Sequence, residues 1–276
     1  MEYSPKKMNS ILEQNNFNFK KKFGQNFIVD ENIINNIVTK SEIDKETLII
    51  EVGPGAGSLT AKLAESSKQV LCYEIDTTLK EILKENLKEY NNVDIIYQDF
   101  LKADVLNDLK KYTYKKLYIV ANLPYYITTP IIINVIEKKL DVDKMVVMVQ
   151  KEVGDRFKAN VGTKDYNSLS IYLNYYFNVK KLMDISRNIF IPKPNVDSIV
   201  VEFTKKESKY NLKNEEIFFK LIRDSFAQKR KTLKNNLKDY DLTKIEEILK
   251  KHDQDLSTRA EQISIETFVE IANNLQ

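Results

Sequence analysis

From Asp30 to about Phe203 the chain alternates between two kinds of segment, and few folds accommodate that alternation. Short runs rich in Val, Ile, Leu and Tyr occur at Thr47–Val52, Gln69–Glu74, Val93–Tyr97, Lys116–Ala121 and Lys144–Gln150. They predict strands buried on both faces, as in a parallel sheet. Helical patterns at about Ser58–Ser66, Thr77–Tyr90, Ala103–Lys111 and Thr129–Lys139 separate them. Together these predict a doubly wound α/β sheet. Asn178–Ser186 and Val196–Thr204 read as a closing strand pair. From Lys205 onward there is no Gly, no Pro and no β-rich run. Glu215–Gln228, Thr243–Lys251 and Ser264–Asn274 place apolar residues at i, i+3, i+4. The expected organisation is a basic N-terminal arm over 1–29, an α/β domain over 30–206 and a small all-helical domain over 207–276.

Composition narrows the chemistry. No apolar run approaches the roughly 18 residues of a membrane span. The single cysteine, Cys72, excludes an internal disulfide. With His252 as the only histidine, no zinc site is expected, nor a Ser-His-Asp or Cys-His catalyst. The N-terminus has no apolar core for secretion and its first 30 residues contain no Arg, so a cytoplasmic protein is expected.

Three of the six glycines stand together in Glu51-Val52-Gly53-Pro54-Gly55-Ala56-Gly57, after the first strand and before a helix. Glycine there permits a tight turn and close backbone approach to a ligand. The spacing is not that of a phosphate cradle, and an acid precedes it. That suits a ligand with an amine and a carboxylate better than a pyrophosphate, and makes Glu51, Gly53 and Gly55 candidate ligand contacts. The second strand ends at Glu74-Ile75-Asp76, where a carboxylate can accept from ribose hydroxyls. Glu74 is the better candidate, and Asp76 reads equally well as a helix cap. Asp99, at the end of the third strand, can accept from an exocyclic amine. A nucleoside site without a place for phosphates fits S-adenosyl-L-methionine, with S-adenosylhomocysteine as product.

The fourth strand ends in Asn122-Leu123-Pro124-Tyr125. It resembles the (N/D)-(P/L/I)-P-(Y/F) tetrapeptide of enzymes that methylate planar amino nitrogens such as adenine N6, whose lone pair is delocalised into the ring and makes it a poor nucleophile. Acceptors aimed at its hydrogens favour charge build-up on nitrogen. The Asn122 amide oxygen and the Leu123 carbonyl can supply them. Pro124 stiffens the turn, and Tyr125 offers a face for a flipped-out base.

These residues resemble the KsgA-type rRNA adenine N6-dimethyltransferases, which share a fold with the Erm methyltransferases. Matching stretches run nearly the whole length: Lys22–Ile28, Glu51–Thr60, Glu74–Asp76, Asp99–Phe100, Asn122–Pro130, Gln150–Val153, Phe190–Ser198, Phe226–Leu233 and Arg259–Glu261. The resemblance implies a Rossmann-like S-adenosylmethionine-dependent methyltransferase sheet with a small helical domain. It implies cofactor contacts at Asn26, Ile28, Gly53, Glu74, Asp99 and Asn122, and a Phe190 that stacks on the target base opposite Tyr125. Asn195 stands where a basic residue is usual. The implied reaction is dimethylation of two adjacent adenosines in the 3′-terminal hairpin loop of 16S rRNA, by a monomer acting on the immature small subunit, with no membrane involved. An Erm-type enzyme acting on large-subunit rRNA is the alternative, and a non-catalytic nucleic-acid-binding relative is a second.

Two basic clusters remain, Lys20-Lys21-Lys22 and Lys229-Arg230-Lys231 with Lys234. In a chain where 38 of 43 bases are Lys, charge alone reads as solvated surface. Beside an RNA-directed pocket, they are expected to contact rRNA phosphates.

Overall fold

The computed structural model describes residues 5–15, 17–20, 23–207 and 210–275. The chain divides into two compact units, one of residues 1–154 and 180–204, the other of residues 155–179 and 205–276.

The first unit is built on nine strands: β1 (Phe27–Ile28), β2 (Thr47–Val52), β3 (Gln69–Tyr73), β4 (Val93–Ile96), β5 (Lys116–Asn122), β6 (Lys144–Gln150), β7 (Phe177–Ile185), β8 (Phe190–Ile191) and β9 (Ser198–Lys205). The first three residues of β7 and the last of β9 fall in the other unit. Seven strands form one sheet in the order β4-β3-β2-β5-β6-β9-β7. Pairing is parallel from β4 through β6 and turns antiparallel at β9, where Met148 faces Val200. All six residues of β2 are buried, which is why its sequence is a continuous apolar run rather than an alternating one. The chain winds outward from β2 to β4, then returns to place β5 on the other side of β2. The strand order reverses there, and ligands of open α/β sheets bind outside the carboxyl ends at such a reversal. Those ends carry the glycine loop after Val52 and the Asn122 turn.

Local signals explain the helices that flank the sheet. Asp30 caps helix Glu31–Ser41 by accepting from the backbone of Asn32 and Ile33, and the helix ends at Glu42 in the left-handed region. The region expected to be a basic arm contains helix Pro5–Gln14. Its Met8 and Leu12 are buried in a cluster with Phe27, flanked by Phe17 and Phe19, so apolar packing rather than charge fixes this segment.

In the second unit, helix Glu215–Ser225 is capped by Asn214 and buries Phe218, Leu221, Ile222 and Ser225, one face of a 3.6-residue period. Helices Leu242–Lys251 and Ile265–Asn274 complete a core around Phe268. Helix Ser168–Tyr176 also belongs here, with Ile171 in the same core. A single boundary at 206–207 is therefore corrected: residues 155–179 leave the sheet unit and return. The cause is apolar content, since Tyr166 and Ile171 are matched to the helical core. Among the described residues, no helix is long and apolar enough to cross a membrane.

Candidate active site

The carboxyl edge of the sheet at the reversal opens into a cleft of about 960 Å³, counting its mouth. The glycine loop forms its floor. Gly53, Gly55 and Gly57 all have positive φ, at 73°, 59° and 86°. A Cβ on Gly55 would stand 2.9 Å from the Phe27 ring, so no larger residue fits without moving that wall.

Glu74 lies at the tip of β3 and is only 4% exposed. Its Oε2 accepts from Gly55 N at 3.3 Å and its Oε1 from Asp76 N at 2.7 Å. Burial pushes its pKa up to about 7, against the pull of these backbone donors. Glu51 lies deeper, at 2% exposure, beside the Cys72 thiol, which donates to its Oε2 at 3.7 Å. Burial pushes Glu51 up to about 8, opposed by the Thr60 hydroxyl and the Cys72 thiol, and nearby Glu74 adds to the rise. Asp99 accepts from Leu101 N at 3.0 Å, which orders the turn after β4. Glu51, Glu74 and Asp99 all line the cleft, and no Lys, Arg or His does among the described residues. Burial holds protons on Glu51 and part of Glu74 near neutral pH, but a cleft lined by carboxyls and by no described cation still disfavours phosphates and suits a ligand that carries positive charge. The donor set therefore fits an adenosyl sulfonium with an amino-acid tail.

Asn122 ends β5 at the cleft wall. Its Nδ2 donates to the Asn26 carbonyl at 2.8 Å. That bond fixes the amide and leaves Oδ1 as its acceptor. Leu123 is buried, with its N–H donating to the Met148 carbonyl at 3.3 Å. The Pro124 carbonyl accepts from Ile127 N and the Thr128 hydroxyl, both at 3.1 Å, so the turn is held from behind. Tyr125 is anchored by a 2.7 Å hydrogen bond between its hydroxyl and Ser198 Oγ. Burial raises its phenol pKa, against that bond.

Other expected residues fall differently. Asn26 contributes its backbone carbonyl to Asn122, while its Nδ2 donates to the Gly24 carbonyl at 3.0 Å. Ile28 lines the cleft from β1, paired with Phe190 of β8. Phe190 itself does not line the cleft. It is 3% exposed and packs in the core with Ile28, Ile34 and Ile185. The ring is thus buried beside Ile28, its strand partner, which itself reaches the cleft.

Lys20 is paired. Its Nζ meets Asp76 Oδ1 at 2.6 Å and Thr78 Oγ1 at 2.9 Å, while 34% of its side chain stays exposed. Lys21 and Lys22 lie outside the described residues. In the second unit Lys229, Arg230, Lys231 and Lys234 are exposed, in the turn after helix Glu215–Ser225 and at the start of helix Leu233–Asn236. Lys229 Nζ donates to the Lys164 carbonyl at 3.1 Å, and none of the four forms an ion pair among the described residues. The helix ends earlier than its apolar pattern predicts, because Phe226 already caps it.

Sequence reasoning gave no role to Gln25, which lines the cleft beside Asn26, or to Ser198, which holds Tyr125 from behind. Neither belongs to a periodic pattern, and both partners are distant in the chain.

A family model for ribosomal RNA adenine dimethylases matches residues 16–276. Among curated proteins, "Ribosomal RNA small subunit methyltransferase A" of Staphylococcus haemolyticus is 48% identical over 277 residues, covering 97% of this chain and 94% of that protein. Among solved structures, a dimethyladenosine transferase from Plasmodium falciparum superposes with a TM-score of 0.73 at 27% identity, covering 89% of this chain and 95% of that one. The 23S rRNA methyltransferase ErmE superposes with a TM-score of 0.72 at 23% identity, covering 91% and 99%, a likeness of fold alone.

Proposed function

The chain belongs to the ribosomal RNA adenine dimethylase family, and from that premise we infer that it dimethylates small-subunit rRNA. The donor is S-adenosylmethionine and the acceptors are N6 of two adjacent adenosines in the 3′-terminal hairpin loop of 16S rRNA. The observation that carries the reading is the pinned amide of Asn122, whose Nδ2 is committed to Asn26, at the wall of a cleft lined by carboxyls and no described cation.

The bound cofactor supplies a methyl group on a positively charged sulfur. The chain's own residues do the rest. Glu74, as carboxylate, accepts from the ribose hydroxyls, and Asp99 accepts from the adenine amine. Gly53 and Gly55 let the backbone approach the amino-acid tail, and Glu51 backs that loop. On the acceptor side, Asn122 Oδ1 and the Leu123 carbonyl accept the two N6 hydrogens. They interact most strongly as N6 becomes tetrahedral, so they favour the transition state over the ground state. Tyr125, anchored through Ser198, offers its ring to the flipped base. The exposed turn at Lys229, Arg230, Lys231 and Lys234 meets rRNA phosphates. The enzyme works as a monomer in the cytoplasm, on the immature subunit.

Relatives named for the small subunit, at 48% identity, favour this reading over the Erm-type alternative, whose support is a likeness of fold. The test is to map methylated adenines in rRNA from cells lacking the gene, complemented with wild type or with Asn122→Ala. Wild type should restore N6,N6-dimethyladenosine near the small-subunit 3′ end and Asn122→Ala should not. Restoration of a methylated adenine in large-subunit rRNA instead would overturn the substrate assignment, and full restoration by Asn122→Ala would overturn the role of that residue.

A further inference from the structure

Asp76 has no part in the contacts proposed above, yet it is the most heavily bonded carboxylate at the cleft. It is 1% exposed. Its Oδ1 takes Lys20 Nζ at 2.6 Å, Thr78 N at 3.1 Å and Thr78 Oγ1 at 2.7 Å. Its Oδ2 takes Gln25 Nε2 at 2.8 Å. The other end of the same amide, Gln25 Oε1, accepts from Lys20 N at 2.9 Å. Lys20, Gln25 and Asp76 therefore close a ring of bonds that ties Lys20 and Gln25 to the turn after β3. Burial alone would raise the Asp76 carboxyl, but donors from Lys20, Thr78 and Gln25 hold it below the usual range.

Capping the turn Thr77–Leu79 needs only the bond from Thr78 N. Asp76 is withdrawn from water while Lys20 keeps 34% of its side chain exposed, and burying a carboxylate is a costly way to add to a cap. The ring has a more specific consequence. Immediately after Gln25 comes Asn26, whose carbonyl receives Asn122 Nδ2. Asp76 N donates to Glu74 Oε1, so the same residue also orders the carboxylate assigned to the ribose.

We propose that Asp76 and Gln25 are positioning residues for methyl transfer: through the Asn26 carbonyl they hold the Asn122 amide with its oxygen toward the target amine. The inference rests on the role given to Asn122 above. If the Gln25–Asp76 bond is lost, Asn26 loses its anchor one residue away. The Asn122 amide can then rotate and present N–H donors to an amine that needs an acceptor. The defect falls on the transfer step, since the ribose and adenine contacts remain.

Gln25 is partly exposed, so Gln25→Ala removes the bond with little packing change. The measurement is a double-mutant cycle with Asn122→Ala, read as single-turnover methylation with enzyme and S-adenosylmethionine in excess over rRNA. A misplacement of this kind costs about 10- to 100-fold in rate. Gln25→Ala should show that loss in the wild-type background and almost none in Asn122→Ala. Gln25→Glu, which sets a second carboxylate against Asp76, should lose at least as much. Calorimetry should find S-adenosylmethionine affinity of Gln25→Ala within about threefold of wild type, a shift of less than 1 kcal/mol. An equal loss in both backgrounds, or no loss in either, would overturn the positioning role and leave Asn122 untouched. An Asn122→Ala enzyme that methylates at the normal rate would instead remove the premise, and the two failures are told apart by that single variant.

Discussion

The two units treat buried polar groups in opposite ways. Among the described residues, every buried charged side chain (Glu51, Glu74, Asp76, Lys144 and Glu202) belongs to the sheet unit. The fully buried residues of the helical unit carry no polar side-chain group beyond hydroxyls, those of Tyr166, Ser170, Ser225 and Thr267. All four are satisfied within the unit: Ser225 donates to the Leu221 carbonyl at 2.7 Å, Ser170 to the Arg156 carbonyl at 2.8 Å and Tyr166 to the Ile263 carbonyl at 3.1 Å, and Thr267 Oγ1 lies 3.0 Å from Ser264 Oγ. Taking an ionisable group out of water is costly unless it is paired or neutralised. The sheet unit accepts that cost where ligands bind. The helical unit is apolar inside and presents its charge on an exposed turn. Both units thus hold an apolar core, and only the sheet unit adds buried charge to it.

The sharpest separation should come from Phe268, fully buried in the helical core. Phe268→Ala should cost about 3–5 kcal/mol in a denaturant unfolding experiment. In the folded variant S-adenosylmethionine affinity should be unchanged, because every residue lining the cleft belongs to the sheet unit. A parallel loss of cofactor binding would break the comparison.

A second, smaller effect is electrostatic and runs in two directions. Glu74 at about 7 and Glu51 at about 8 both stand above their ordinary 4.5. Between those limits the native state holds protons that the unfolded state has released. Their contribution to stability is therefore complete below pH 4.5 and is lost as pH rises through 7 to 8. Ribose binding needs Glu74 ionised, so S-adenosylmethionine affinity should do the reverse and fall as pH drops below 7, by up to about tenfold per unit. Titration calorimetry at pH 6 and 8 checks the sign, and Glu74→Gln should flatten the dependence. An affinity that climbs toward low pH would remove Glu74 from the ribose site.

The smallest expected effect lies on the helical surface. Replacing Lys229, Arg230 and Lys231 together with Ala should flatten the salt dependence of rRNA affinity by roughly 0.7–0.9 slope units per lost phosphate contact. Cofactor binding should not change. Superimposed salt lines for wild type and variant would return the cluster to plain solvated surface.

Much of the sheet was legible because its signals are local. Parallel strands announce themselves as apolar runs, and the glycine loop and Glu74 follow from chain position alone. The Asn122 turn was legible through its chemistry. What escaped depends on partners far apart. Lys20 looks like one of three free cations until Asp76, 56 residues on, takes it. Phe190 looks like an available ring in the sequence, yet it is packed among Ile28, Ile34 and Ile185, residues far from it in the chain or on another strand. Residues 155–179 look like part of the sheet domain because nothing in their own composition reveals which core will take Tyr166 and Ile171.

The pairing of Phe27 with Ile191 also sets a schedule. The wall of the cleft formed by Phe23 to Ile28 is among the first parts of the chain to be synthesised, yet its strand partner is not made until residue 191. At about 5–20 residues per second, a translating ribosome needs roughly 10–40 s to reach that point. Until then Phe27 and Ile28 lack their strand partners, although the Phe27 ring over Gly55 already has Met8 and Leu12 to pack on. The ladder beside the cleft therefore cannot form while the N-terminal half alone has emerged.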